Sequence, residues 1–170
     1  MKFLADGMLG KLARWLRMLG LDVEYSADTD DRTLIAKAKE ERATILTRDI
    51  ELYKNGVTKG LDAFFVNGRL EEDQLAELAE RFGINLEIDM TTSRCPKCNT
   101  QVTIATKEEV ADKVKRNTLE NYDDFWRCPN CGQVYWQGAH WARIRNTLEN
   151  ARRKKNEKRL EEDEDPAKQP

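Results

Sequence analysis

Through its first ninety residues the chain alternates short apolar runs with stretches whose apolar positions recur at helical spacing. Lys2–Ala5 (KFLA) reads as a first strand. In Met8–Leu19 the apolar residues Leu9, Leu12, Leu16 and Leu19 fall three or four apart, which predicts a helix with one buried face, and Gly20 supplies its stop. Asp22–Tyr25 reads as a second strand, and Asp31–Glu41 as a helix that turns Leu34, Ile35 and Ala38 inward. Ala43–Thr47 is a third strand, a short helix begins over Ile50–Tyr53, and Leu61–Val66 is a fourth strand. Glu71–Phe82 is a further helix, with Leu75, Leu78 and Ala79 inward and Gly83 closing it. Asn85–Ile88 has the pattern of a short edge strand. Strands alternating with helices predict an α/β fold, with a parallel sheet and helices on both faces.

The rhythm then changes. Cys95 to His140 forms a second unit, with a charged helical insert near Lys107–Arg116. From Arg143 to Arg159 the pattern is helical and strongly basic, after which the chain turns acidic (EEDED) and ends in PAKQP, a composition that predicts disorder. The expected organisation is therefore residues 1–90, 91–142 and 143–170, without internal repeats.

Charge narrows the partners. Of 170 residues, 35% are charged and 39% hydrophobic, yet the formal net charge is only -2, so any nucleic-acid binding must rest on local patches. The first residues do not build a secretory signal, because Asp6, Lys11, Arg14 and Arg17 interrupt the apolar run. No stretch approaches the roughly 20 apolar residues of a membrane helix. A soluble, cytoplasmic protein is expected.

Ligands of open parallel sheets bind at the carboxyl ends of the strands, and the acids of this sequence fall there. Asp6 follows the first strand, Asp28, Asp30 and Asp31 the second, and Asp49 the third. Clustered carboxylates repel one another unless a cation lies among them, and Mg²⁺ or Mn²⁺ prefers such oxygen ligands. An ion there can activate water and stabilise phosphoryl chemistry. The same residue types also cap helices, and Asp30 and Asp49 stand where N-caps belong. Basic residues accompany the acids. Lys11, Arg14 and Arg17 recur every third position away from the apolar face, and Arg48 adjoins Asp49. These are candidate phosphate contacts, with Arg14 and Arg48 favoured by their nearness to the acids.

The four cysteines form two pairs, Cys95-Pro-Lys-Cys98 and Cys128-Pro-Asn-Cys131. Two knuckles of this kind supply four thiolates for a structural, tetrahedral Zn²⁺. A pair of disulfides is the alternative, disfavoured without a secretory signal. Phe125, Trp126, Tyr135, Trp136 and Trp141 surround the second knuckle as candidates for its small core.

The stretches KFLADGMLGKLARWLRMLG, SADTDD, ATILTRD, SRCPKCN and WRCPNCGQVYWQGAHW, in this order, resemble a family of PIN-like RNase domains with a zinc ribbon, named after the C-terminal region of the exonuclease mut-seven. The resemblance runs through Trp141. It implies a PIN-like sheet, divalent-metal ribonuclease activity and a ribbon that helps hold RNA. It also implies site roles for Asp6, for the pair Asp30 and Asp31, and for Asp49. A further acid expected after the fourth strand is missing, since Asn67 stands near that place, between Asp62 and Glu71. One ion held by Asp6, Asp49 and one of the Asp30/Asp31 pair is the expectation.

The sequence thus points to a metal-dependent ribonuclease acting on RNA. The competing reading is a non-catalytic RNA-binding or ribosome-associated zinc-ribbon adaptor. Phosphotransfer of the haloacid-dehalogenase type fits less well, because Asp6 is followed by Gly7 and Met8 rather than by a second aspartate two residues on. The expected partner is RNA, with the ribosome or other RNA-processing proteins as further candidates.

Overall fold

The computed structural model describes residues 1–25 and 27–163. Ser26, within the SADTDD stretch, and residues 164–170 of the acidic tail lie outside the described residues. Four strands, β1 (Lys2–Ala5), β2 (Asp22–Tyr25), β3 (Thr44–Thr47) and β4 (Ala63–Phe65), form a sheet of order β2-β1-β3-β4 in which every pair is parallel. Parallel strands covered on both faces read as continuous apolar runs. Accordingly Phe3, Leu4, Ala5, Ile45 and Leu46 are all buried. The register places Leu4 opposite Ile45 and Ala5 opposite Leu46, so β1 and β3 are the inner strands and end together.

Between the strands run α1 (Gly10–Met18), α2 (Asp31–Glu41) and α3 (Ile50–Thr58). On one side of the sheet Leu4 and Ile45 pack with Leu34, Ile35 and Ala38 of α2 and Leu52 of α3. Full burial of such a side chain contributes about 1.5–3 kcal/mol. The expected first helix is divided: a single 3-10 turn, Gly7–Leu9, precedes α1, and Asp6 caps that turn. Gly20 ends α1 with φ +88°, the left-handed geometry that favours glycine. β4 is shorter than the apolar run suggests, although ladder bonds continue beyond it, from Ile45 N to the Asp62 carbonyl and from Val66 N to the Thr47 carbonyl.

The cysteine-bearing segment builds a second, antiparallel sheet from β5 (Thr103–Ala105), β6 (Phe125–Arg127) and β7 (Val134–Tyr135), in the order β5-β6-β7. Its charged insert is two short helices, α5 (Lys107–Val110) and α6 (Arg116–Asn121). Thr106 and Glu109 form a reciprocal cap at the start of α5. Val110 packs with Ala105, Phe125 and Val134, and Val114 and Leu119 lie against them, so the insert covers this side of the antiparallel sheet. Both sheets belong to one compact unit, Met1–Val66 with Ile88–Ala139.

The second unit comprises Asn67–Glu87 and, among the described residues, 140–163. Here α4 (Glu71–Phe82) packs along α7 (Trp141–Asp163). The inward residues Leu75, Leu78 and Ala79 are fully buried, and Leu148 and Ala151 of α7 are buried as well. Lys154 pairs with Asp73, and Arg152 with Glu87 at 3.0 Å. Asn85–Ile88 is not a strand: Ile84 and Leu86 alternate inward as strand residues would, but they join no sheet. Burial at alternate positions is satisfied here by packing alone.

Candidate active site and cysteine centre

The common end of β1 and β3 builds the acidic rim. Asp6 continues β1 by one residue, its amide donating to the Leu46 carbonyl at 3.0 Å. Its side chain is only 7% exposed, which matters because a buried carboxylate must be satisfied. Asp6 Oδ1 accepts from Met8 N at 2.8 Å, and Oδ2 accepts from Arg48 N at 3.2 Å and from the Thr47 hydroxyl. The same Thr47 Oγ1 accepts from Asp49 N at 2.8 Å. Thr47, fully buried, therefore ties the turn bearing Asp49 to the carboxylate of Asp6. Sequence reasoning read the LTRD stretch for its aspartate and overlooked this threonine. The available signal was a hydroxyl as the last residue of an apolar strand, two before an acid.

Asp49 is the N-cap of α3, its Oδ1 accepting from Glu51 N at 2.7 Å and Leu52 N at 3.2 Å. Asp30 is the N-cap of α2 and accepts from Arg32 N, Thr33 N and the Thr33 hydroxyl. The Thr33 hydroxyl, then the Thr33 amide, hold the Asp30 carboxyl below the usual aspartate range. Asp31 and Asp28 are exposed, Asp31 in the first turn of α2. The loop after β2 is set against the Asp6 turn by close packing. A Cβ on Gly7 would stand 2.9 Å from the Ala27 carbonyl oxygen, and the Tyr25 hydroxyl donates to the Gly7 carbonyl at 3.2 Å. Asp6 and Asp49 are thus joined through Thr47, whereas Asp30 and Asp31 stand on the neighbouring helix start. Among the described residues the aspartates do not form a group of three ligand oxygens close enough to grip one ion. Asp62, before β4 rather than after it, accepts from the Thr44 hydroxyl at 2.7 Å.

Of the basic candidates, Lys11, Arg14 and Arg48 are exposed. Arg17 is placed otherwise: it is 7% exposed, with Nε donating to the Val23 carbonyl at 2.8 Å and Nη1 to the Pro96 carbonyl at 2.9 Å. Burial lowers its pKa. The helical spacing assigns Arg17 a solvent face, but the first cysteine knuckle covers that end of α1.

The four cysteines converge. Their sulfur atoms all lie within 4.8 Å of one another, with Cys95–Cys131 at 3.6 Å and Cys98–Cys128 at 3.3 Å. A tetrahedral Zn²⁺ with bonds of about 2.3 Å requires sulfur–sulfur edges of about 3.8 Å, so the donor set fits that ion. All four are free thiols rather than disulfides. Burial opposes a Cys98 thiolate, but the Thr100 amide and hydroxyl outweigh it and draw the Cys98 pKa down to about 5. Burial pushes the Cys128 thiol up to about 12, and a bound cation is what would deprotonate it at neutral pH. The Tyr135 hydroxyl lies 3.0 Å from Cys95 Sγ, and burial followed by that contact raises the tyrosine pKa.

A parallel α/β sheet with an aspartate rim, joined to an antiparallel ribbon whose four cysteines can hold zinc, defines the class. The Mut7-C RNAse domain model matches residues 1–148, and the chain belongs to that family. Membership gives the protein a nuclease, RNA-related role, with RNA as the substrate class. No curated protein and no solved structure matches the chain at a significant level.

Proposed function

We propose that the protein is a divalent-metal-dependent ribonuclease with a PIN-like sheet, which hydrolyses RNA phosphodiester bonds at the rim formed by Asp6 and Asp49. The observation that carries this reading is Asp6 itself. It is a carboxylate buried at the end of an inner strand, and it is tied through Thr47 to the turn of a second aspartate. The donors are oxygens only, which suits Mg²⁺ or Mn²⁺. Mg²⁺ is commonly held by one or two carboxylates, with waters and substrate phosphates completing its shell, so three converging carboxylates are not required. When bound, the ion supplies water activation and charge for the phosphate.

The chain's own residues do the rest. Asp6 and Asp49 would hold the ion, and Asp31, with Asp30 at the start of α2, would help position it or the attacking water. The exposed Arg14 and Arg48, with Lys11, bind phosphates beside the scissile one. Arg17 has no part in this contact, because its guanidinium is already committed inside the fold. The zinc ribbon and the arginine- and lysine-rich α7 extend RNA binding, in the cytoplasm, by screened electrostatic attraction. Asp6→Asn tests the assignment, since the one asparagine oxygen can still accept from Met8 N while its amide NH2 donates to the Thr47 hydroxyl, at the cost of the acceptor for Arg48 N. We expect the variant to stay folded and lose cleavage. Undiminished cleavage by the folded variant would remove Asp6 from the site.

One observation favours a second reading, the non-catalytic RNA-binding or ribosome-associated adaptor. Asp6, Asp30 and Asp49 each cap a helix or turn, which accounts for them structurally. An adaptor binds RNA equally well with and without added Mg²⁺ and leaves it intact.

A further inference from the structure

β2 is an outer strand of the parallel sheet, and an open strand edge needs either cover or a partner. In its register with β1, Val23 lies opposite Phe3. The Val23 amide and carbonyl are not used in that ladder and turn outward, and the cysteine module meets both. Val23 N donates to Asn99 Oδ1 at 3.1 Å, while the Val23 carbonyl accepts from Arg17 Nε at 2.8 Å. Asn99 Nδ2 then donates to Asp22 Oδ1 at 2.6 Å, and Arg17 Nη1 reaches the Pro96 carbonyl at 2.9 Å. A side-chain amide and a guanidinium thus stand where a fifth strand would pair. Two further bonds fasten the same region, from Arg94 N to the Arg17 carbonyl at 2.8 Å and from Ser93 Oγ to the Met18 carbonyl at 2.6 Å.

The residue that makes this cover belongs to the metal knuckle. Asn99 directly follows Cys98 and has φ +69°, a left-handed conformation that asparagine tolerates better than other residues with a Cβ. The knuckle turn holds it there, with Asn99 N donating to the Cys95 carbonyl and Cys95 N to the Thr100 carbonyl, both at 2.8 Å. The turn spans Cys95 and Cys98, whose sulfurs converge with those of Cys128 and Cys131, so a Zn²⁺ bound by the four would clamp the turn that carries Asn99. We propose that the Cys95–Asn99 knuckle is a zinc-dependent latch on the open edge of the α/β sheet, with Asn99 and Arg17 as its two contacts. Zinc occupancy holds Asn99 against Val23 and protects β2. Loss of zinc frees the knuckle, exposes the Val23 edge and loosens the strand that leads to Asp30 and Asp31. The coupling is reciprocal, so weakening the latch also weakens zinc binding.

The test is hydrogen exchange on the full-length, zinc-loaded protein, read by mass spectrometry over β2 and, as a control, over β3. We compare zinc-loaded protein with protein treated with a zinc chelator, in wild type and in Asn99→Gly. Glycine preserves the left-handed turn while removing the amide, so the ribbon itself is retained. For wild type, we expect chelation to speed exchange in β2 by about tenfold or more while β3 changes little. In Asn99→Gly, β2 should exchange fast even with zinc bound, and chelation should add little. A second measurement guards against unfolding of the variant. Its near-ultraviolet circular dichroism and zinc content should match wild type, while its zinc affinity, by chelator competition, should fall. Wild-type β2 exchange that ignores chelation, or full zinc-dependent protection of β2 in folded Asn99→Gly, overturns the proposal.

Discussion

Thr47 shows how much a single buried hydroxyl can hold. It donates to Asp6 and accepts from Asp49 N at 2.8 Å, so Thr47→Val keeps the shape but leaves a carboxylate oxygen and an amide short of partners. Each buried group stranded in this way costs about 1–3 kcal/mol. We expect urea denaturation to show a loss in that range, and a loss below about 0.5 kcal/mol would mean that water replaces the hydroxyl. Tyr135 plays the matching part at the cysteine centre. Its hydroxyl is the polar partner of the sulfur of fully buried Cys95, at 3.0 Å. Groups that orient metal ligands typically change affinity by about 10–100-fold, so Tyr135→Phe should weaken zinc retention about tenfold in competition with a chromophoric chelator. An unchanged affinity would make the contact incidental. At this scale the sequence was legible for acids and cysteines, whose types announce their chemistry. It was not legible for Thr47 or Arg17. A threonine that closes a strand looks like any β-branched residue, and Arg17 looked solvent-facing because its cover, Pro96, lies 79 residues downstream.

At the scale of elements, turns and ion pairs fix where strands begin and end. Gly20 has φ +88°, and a Cβ there would meet the Thr92 carbonyl oxygen at 3.1 Å. Gly20→Ala should therefore cost about 1–2 kcal/mol, from backbone strain and from crowding of that carbonyl. A thermal midpoint equal to wild type would contradict the geometry. Glu24 on β2 sits between Lys2, at 2.7 Å, and Lys37. Partial burial works to raise its pKa, but hydrogen bonds from Lys2 and then Lys37 outweigh it and hold the carboxyl below the usual range. A depressed folded pKa contributes stability above the unfolded value, about 4.3, and loses it as pH falls through the folded one. Wild type should thus exceed Glu24→Gln in stability at pH 6 by less than about 1 kcal/mol, since the group is partly exposed. The gap should close as the pH drops below about 4. A gap that widens on acidification would reverse the sign of the argument. Most elements were legible because apolar spacing and glycine stops agree, as in Asp31–Glu41 and in Glu71–Phe82 ending at Gly83. Asn85–Ile88 was not, because alternate burial of Ile84 and Leu86 arises without a sheet.

For the whole molecule, the parallel sheet, its aspartate rim and the four-cysteine centre were all visible as spacing along the chain. Their joining was not, since the knuckle that covers β2 is made of residues whose pattern speaks only of metal. The grouping of α4 with α7 was likewise hidden, because each helix shows an inward face but not its partner. The central claim is that the rim of Asp6 and Asp49 cuts RNA with the help of a divalent ion. The most direct test uses zinc-loaded protein and a set of labelled RNAs, with and without added Mg²⁺ or Mn²⁺. No chelator is used, so the ribbon stays intact, and Asp49→Asn is run alongside because asparagine caps a helix as well as aspartate does. The account predicts cleavage that requires the added ion and falls at least a hundredfold in the variant, about 2.7 kcal/mol of transition-state stabilisation. RNA that is bound but left uncut under every condition, or cut equally by wild type and Asp49→Asn, would contradict it.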